Sequence, residues 1–362
     1  MNSYNEFSDS KYNKLKILIT GGAGFIGSAL IREAVSRKFS VLNVDALTYA
    51  SSTQSLESIS QDPLYTFSNT NIKDLNALTK IFDQFVPDAV MHLAAETHVD
   101  KSIDAPTDFI ETNVVGTFNI LQAAYKFWLK QNKPPSFRFL HVSTDEVYGS
   151  LGEDGYFTEL TKYDPSSPYS ASKASSDHLV KAWGMTYGLP ILLTNCSNNY
   201  GPFQFPEKLI PVVVNKALSG ESIPIYGSGE NIRDWLYVED HVDALLSVLF
   251  NGSIGRAYNI GGNSEKSNIE LVTQICKILN ILRPSDNKDD YVDQINFVPD
   301  RPGHDMRYAI DTTRIHNELE WSPKHTFEEG LRKTIIWYLE NEDWWRTLLR
   351  KTQLNHRQGN LE

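Results

Sequence analysis

Cysteine is the first scarcity, with two in 362 residues. Cys196 and Cys276 are too few for a disulfide framework or a cysteine-rich metal site. Each sits in an apolar-periodic segment, so both are expected to be buried packing residues in a reducing compartment, with no metal bound. Long apolar runs are missing too. The longest, residues 244–250, falls far short of the roughly 20 residues that cross a bilayer, so no membrane span is expected. Positive charge is in deficit: 34 Lys and Arg stand against 45 Asp and Glu, a formal charge of −11. That balance removes the electrostatic reason to hold a nucleic acid. The first residues are rich in Asn, Ser and Tyr and lack the basic and then apolar stretches of a secretory signal. They are expected to form a disordered polar extension over 1–14 on a cytoplasmic protein. An anionic substrate would need a local basic cluster, and the C-terminal half is the place to seek it.

What remains is ample for a large core or two adjoining ones, with 41% hydrophobic residues. From Lys16 onward, short apolar runs at 17–20, 41–44, 89–93, 137–142 and 191–195 alternate with longer patterns. This is the βαβ rhythm of a parallel sheet. Two patterns with apolar residues at three- and four-residue spacing, 109–128 and 168–187, predict long helices flanking that sheet. Loops rich in Pro, Gly and Asn follow over 198–229, then a helix over 234–250 and a strand over 257–262. The expected architecture is α/β: a Rossmann-type doubly wound parallel sheet with a smaller α/β C-terminal substrate-binding domain. The first domain takes 15–199 and about 236–263, the second 200–235 and about 264–345, and 346–362 is a polar tail.

Gly21, Gly24 and Gly27 directly follow the first predicted strand and open a helix. Glycine there lets the chain turn tightly and lets a pyrophosphate approach backbone N–H groups at the positive helix end. The second strand ends at Asp45, 24 positions after Gly21, where a carboxylate accepts hydrogen bonds from the adenosine ribose and repels a 2′-phosphate. Ala46 offers that phosphate no guanidinium. NAD is therefore expected rather than NADP.

Tyr169 and Lys173 stand four apart at the start of a predicted helix and share one face. The nearby ammonium is expected to lower the phenol's pKa so that it can take a proton from a sugar hydroxyl. Asp145 and Glu146 follow a strand end. Adjacent strand residues point to opposite faces, so both carboxylates serve one site only if the strand stops at Thr144 and the chain turns, which Gly149 allows. Otherwise Asp145 caps a turn and Glu146 is solvated.

With these features the sequence resembles the extended short-chain dehydrogenase/reductase family, from Lys16 to about Tyr338. The likeness rests on the glycine pattern, the Tyr169/Lys173 pair, Thr144 after Ser143, Leu93-Ala94-Ala95 after a strand, and Tyr200-Gly201-Pro202. Within the family it is similar to the nucleotide-sugar 4,6-dehydratases that act on dTDP-glucose, through Thr144-Asp145-Glu146 and the stretches 195–202, 205–211, 233–241 and 300–305. Epimerases of the family lack the carboxylate pair. The alternatives are another NAD-dependent sugar-nucleotide dehydratase, epimerase or decarboxylase and, more distantly, a non-catalytic NAD sensor.

The resemblance implies an order of events. Tyr169 takes the carbon 4 hydroxyl proton, Glu146 removes the carbon 5 proton, and Asp145 protonates the departing carbon 6 hydroxyl. Tightly bound NAD takes a hydride and returns it to carbon 6. Thr144 would bond the carbon 4 oxygen, and Lys173 would also hold the nicotinamide ribose. Phe25, Ile26, Ala46, Leu47, Thr48, Ile72, Leu93, Ala94, Ala95, Thr112 and Asn199 are implied around NAD. Asn71 replaces the usual Asp beside the adenine, where its amide oxygen could still accept. Thr97, Asn198, Leu209, Pro224, Ile225, Tyr226, Asn268 and Asp300 are implied near the sugar nucleotide, with Lys208, Arg233, Arg301 and His304 as cations for its diphosphate. The two long helices imply a homodimer built on a four-helix bundle.

Overall fold

The computed structural model describes residues 15–285, 290–300 and 303–359. The expected N-terminal extension, and Arg301, lie outside them. The strands in chain order are β1 (Lys16–Thr20), β2 (Ser40–Asp45), β3 (Tyr65–Asn69), β4 (Ala89–His92), β5 (Arg138–Thr144), β6 (Ile191–Cys196), β7 (Asn198–Tyr200), β8 (Ile223–Tyr226), β9 (Ile232–Tyr237), β10 (Ala257–Ile260), β11 (Glu265–Ser267) and β12 (Ile295–Val298).

A seven-stranded sheet runs β10-β6-β5-β4-β1-β2-β3 with every neighbouring pair parallel. This is the expected doubly wound order, which reverses between β1 and β4 and opens a crevice at their carboxyl ends. The apolar runs exist because parallel strands are covered on both faces. In β1, Ile17 and Ile19 enter a core with the helices Phe25–Ser36 and Val238–Asn251. Leu18 between them enters a second core with Leu75–Phe85, Thr117–Lys130 and Pro168–Tyr187. A third core surrounds the small sheets β11-β9-β7 and β12-β8 and draws on the helices Leu209–Leu218, Asn268–Leu282 and Phe327–Glu340.

Several expectations are corrected. The helix foreseen from 234 begins at Val238, because Asp234 to Tyr237 complete β9. The stretch 198–229 contains the helix Leu209–Leu218 and is not only loop. The tail foreseen from 346 continues the helix Glu342–Gly359, in which Trp345 and Leu348 are buried. The helix foreseen over 109–128 carries a π-helical segment, Ile110–Gly116, before Thr117–Lys130. That segment buries Asn113, whose amide accepts from the Glu96 N–H at 2.8 Å, donates to the Glu96 carbonyl at 3.0 Å, and donates to Ser172 Oγ at 2.8 Å.

Candidate active site

A cleft at the crevice joins residues from most of the elements around it. At one end the β1 turn is shaped for a ligand's close approach. Gly21 has φ +72°, and a Cβ there would lie 2.7 Å from the backbone N and Cα of Ala94. A Cβ at Gly27 would lie 2.2 Å from the Gly21 carbonyl oxygen. Gly24 starts the helix Phe25–Ser36 without a capping side chain, so its first-turn N–H groups face the cleft uncapped. This arrangement fits a pyrophosphate. Asp45 is buried and accepts from Ala23 N at 2.9 Å, Leu47 N at 2.7 Å and Ser51 Oγ at 3.0 Å. The carboxylate thus shapes the loop after β2 and keeps about one of its four or so acceptor positions for a ligand hydroxyl.

One residue implied around NAD differs from expectation: Leu47 is not among the cleft-lining residues, and it is 37% exposed. Asn71 lines the cleft, and its amide oxygen accepts from Lys73 N at 2.9 Å, which leaves its second acceptor position unused.

β5 stops at Thr144, and residues Asp145–Tyr148 form a single 3-10 turn. This is the condition under which adjacent carboxylates share a site, and both line the cleft. Thr144 Oγ1 accepts from Glu146 N at 3.3 Å and donates to Asp145 Oδ1 at 3.3 Å. Asp145 Oδ2 is buried with no hydrogen-bond partner among the described residues. Burial, then the negative charges of Glu146 and Asp234, holds the Asp145 carboxyl well above the usual carboxylate range. Such a carboxyl suits an acid.

Tyr169 and Lys173 come from the first two turns of Pro168–Tyr187, started by Pro168 and a reciprocal Ser167/Ser170 capping box. The expected lowering of the phenol's pKa is not found. Burial and the Glu146 charge push Tyr169 well above its ordinary value, against the weaker effect of the nearby Thr144 hydroxyl. The Lys173 ammonium instead donates to the Val142 carbonyl at 2.9 Å, and burial lowers its own pKa against the pull of Asp177.

Residues 18–334 match the family model described as GDP-mannose 4,6 dehydratase. The chain belongs to this dehydratase family. A dTDP-glucose 4,6-dehydratase of Neisseria meningitidis serogroup B is 55% identical over 340 residues, covering 92% of this chain and 96% of the relative. The structure of dTDP-glucose 4,6-dehydratase from Bacillus anthracis in complex with NAD shares 44% identity and a TM-score of 0.82, over 92% of this chain and 99% of that one. The Streptomyces venezuelae dTDP-glucose 4,6-dehydratase, also with NAD bound, gives 40% and 0.85 over 92% and 100%.

In this family member the residues implied near the sugar nucleotide divide into two groups. Thr97, Asn198 and Lys208 line the cleft, and Lys208 Nζ donates to the Thr97 carbonyl at 3.2 Å. Leu209, Pro224, Ile225, Tyr226, Arg233, Asn268, Asp300 and His304 do not line it. Ile225 alternates with exposed neighbours on β8 and packs into the third core, as Leu209 partly does. The Arg233 guanidinium is taken up by the carbonyls of Ile232 at 2.7 Å, Asp305 at 2.9 Å and Met306 at 3.3 Å, and lies 4.4 Å from the Tyr308 ring centre. His304 pairs with Asp300 at 2.6 Å beside the Tyr226 ring, a cluster apart from the cleft lining.

Glu96 and Glu207 line the cleft without having been anticipated. Glu207 accepts from Tyr49 OH at 3.0 Å and Lys101 Nζ at 3.2 Å, drawing together three connections that rim the cleft. Its position beside Lys208, in a stretch that carried the resemblance, was the available signal. Glu96 had none, since its placement depends on the distant Asn113.

Proposed function

We propose that this chain is a dTDP-glucose 4,6-dehydratase that converts its substrate to dTDP-4-keto-6-deoxy-glucose. The observation that carries the reading is the turn Thr144-Asp145-Glu146, which sets two carboxylates of unlike surroundings beside Tyr169 in a cleft whose other end fits a pyrophosphate. Bound NAD supplies the redox capacity, accepting a hydride from carbon 4 and returning it at carbon 6.

The uncapped turn at Gly24 and the free acceptor position of Asp45 would hold the dinucleotide, with the first domain as its carrier and the second holding the sugar nucleotide. Tyr169 receives the carbon 4 hydroxyl proton, and Thr144 orients the oxygen. The carbon 4 ketone makes the carbon 5 proton removable; Glu146 takes it while Asp145 protonates the carbon 6 hydroxyl. Of the cations implied for the diphosphate, Lys208 lines the cleft and would support it there.

Incubation with dTDP-glucose should give the alkali-induced absorbance of a 4-keto-6-deoxy sugar. Glu146→Gln should cut that signal about a hundredfold or more with NAD binding intact; undiminished turnover would refute the role of Glu146.

A homodimer is part of the proposal. The helices Thr117–Lys130 and Pro168–Tyr187 pack together through Phe118 on Trp183 and Tyr125 on Tyr187. They still expose Phe118, Leu129, Met185 and Tyr187, with Met185 89% exposed. A second copy of this pair would complete a four-helix bundle. Light scattering should report twice the chain mass, and a monomer at micromolar concentration would refute it. No helix among the described residues is long and apolar enough to cross a membrane. Two buried free cysteines support a reducing, cytoplasmic setting.

A further inference from the structure

The helix that carries Tyr169 and Lys173 bears a third polar residue on the same face. Asp177 follows Lys173 by four positions, as Lys173 follows Tyr169. It has 0% exposure and does not line the cleft, and the chemistry derived above gives it no task. A carboxylate in a core is costly unless its surroundings hydrogen-bond it. Here Oδ2 accepts from Ser143 Oγ at 2.9 Å, Tyr163 OH at 2.9 Å and Asn195 Nδ2 at 3.4 Å, and Oδ1 stands 3.2 Å from His141 Nε2. His141 and Ser143 belong to β5, and Asn195 pairs with Ser143 from β6. The carboxylate thus pins the helix to both strands where they end at the crevice.

Asn195 carries the contact onward. Its amide nitrogen also donates to the Thr144 carbonyl at 3.0 Å, and its amide oxygen accepts from Tyr148 OH at 3.4 Å. Thr144 precedes, and Tyr148 ends, the turn that holds Asp145 and Glu146. Two donated bonds and one accepted bond fix which way round the amide sits. Ser143, Tyr148, Asn195 and Asp177 are all buried, so bulk water does not compete for these bonds.

We propose that Asp177 is a positioning residue which, through Asn195, braces the turn of Asp145 and Glu146 against the helix of Tyr169 and Lys173. The brace rests on the dehydratase reading. In that reading Tyr169 serves the oxidation at carbon 4, whereas elimination needs Glu146 at carbon 5 and Asp145 at the carbon 6 hydroxyl. A loosened turn displaces the second step more than the first, because the turn alone carries both elimination groups. Misplacement by about 1 Å is enough to slow such a step strongly.

The test is steady-state turnover of dTDP-glucose by the NAD-loaded enzyme, with sugar deuterated at carbon 5 run beside the unlabelled substrate. Asp177→Ala and Asn195→Ala should each lower kcat about tenfold to a hundredfold. The substrate KM should stay within about threefold. The carbon 5 isotope effect on kcat should rise by about twofold, because removal of that proton becomes the slow step. A smaller folded fraction lowers kcat without moving the isotope effect, so the two causes separate. Asp177→Asn, whose amide oxygen can receive the same donors, should recover most of kcat and the wild-type isotope effect. Tyr163→Phe removes the one donor to Asp177 that belongs to neither strand and should leave both near wild type. An unchanged isotope effect in Asn195→Ala, or an Asp177→Asn enzyme as slow as Asp177→Ala, would overturn the brace. If the alanine variants do not fold, Tyr148→Phe, which loses only a hydroxyl, decides by the same isotope effect. Wild-type enzyme that makes no 4-keto-6-deoxy sugar would instead refute the dehydratase reading.

Discussion

Replacing Gly21 with alanine tests the physical basis of the cofactor turn. At φ +72° an alanine pays about 1–2 kcal/mol for the left-handed backbone alone. The new Cβ would stand 2.7 Å from Ala94 N and Cα and 2.9 Å from the Leu93 carbonyl carbon. Ordinary carbon contacts need about 3.5–4.0 Å, so turn and strand end must part by close to an ångström. These are backbone atoms, and no rotamer relieves them. Parting strains the bonds from Gly21 N to Val44 O at 3.0 Å and from Leu93 N to Thr20 O at 3.2 Å, each worth about 1 kcal/mol net. The sum is about 3–4 kcal/mol, a large share of a typical domain's stability. Urea unfolding followed by circular dichroism should show that loss, and titration should show NAD bound at least about tenfold more weakly. Gly152→Ala is the control: nothing lies within 4 Å of its Cβ and its φ is not positive, so it should change stability by no more than about 0.5 kcal/mol. Wild-type stability and NAD affinity in the Gly21 variant would refute the reasoning.

Ser167→Ala removes the side chain that accepts from Ser170 N at 3.1 Å and should cost about 1 kcal/mol in thermal or urea unfolding, with Ser167→Asp restoring most of it. His241 is buried, and burial lowers its pKa from 6.5 to about 3. The unfolded chain therefore binds its proton first, and stability is lost as pH falls from about 6.5 toward 3. Relative to pH 8 the loss is about 2 kcal/mol at pH 5, and His241→Gln should flatten that part of the urea-midpoint profile. An unchanged slope would show that other groups govern acid unfolding.

The first domain was legible because its strands are covered on both faces and read as unbroken apolar runs, while Gly21, Gly24 and Gly27 mark the turn between them. β3 was missed since it is the sheet's edge strand and its residues are mostly exposed or half-buried. β9 was taken for the start of a helix because its identity depends on distant partners. Asp234 receives Gly262 N at 2.9 Å and Ser264 N at 2.6 Å, a link that no local period reveals. The C-terminal helix hid behind a polar surface, with Trp345 and Leu348 as its anchors. In the site, adjacency on the chain announced Asp145 with Glu146, and helical spacing announced Tyr169 with Lys173. Spacing could not tell where the ammonium points. Its bond to Val142 and the charge of Glu146 near the phenol are set by three separate elements meeting.

The π-helical segment joins two surfaces that would otherwise be independent. Ile110 and Val115 stand exposed on its outer side, next to the helices proposed to meet a second subunit. Asn113, on its inner side, grips both backbone groups of Glu96 in the cleft wall and the Ser172 hydroxyl of the helix that carries Tyr169 and Lys173. The one-residue surplus of a π turn thus sits between that outer face and the cleft wall. Two bonds tie it to the helix of Tyr169 and Lys173, from the Asn113 amide to Ser172 Oγ and from Ser176 Oγ to the Asn113 carbonyl at 2.6 Å, so a second copy packed on that face, as proposed, would bear on the placement of the helix that carries the site.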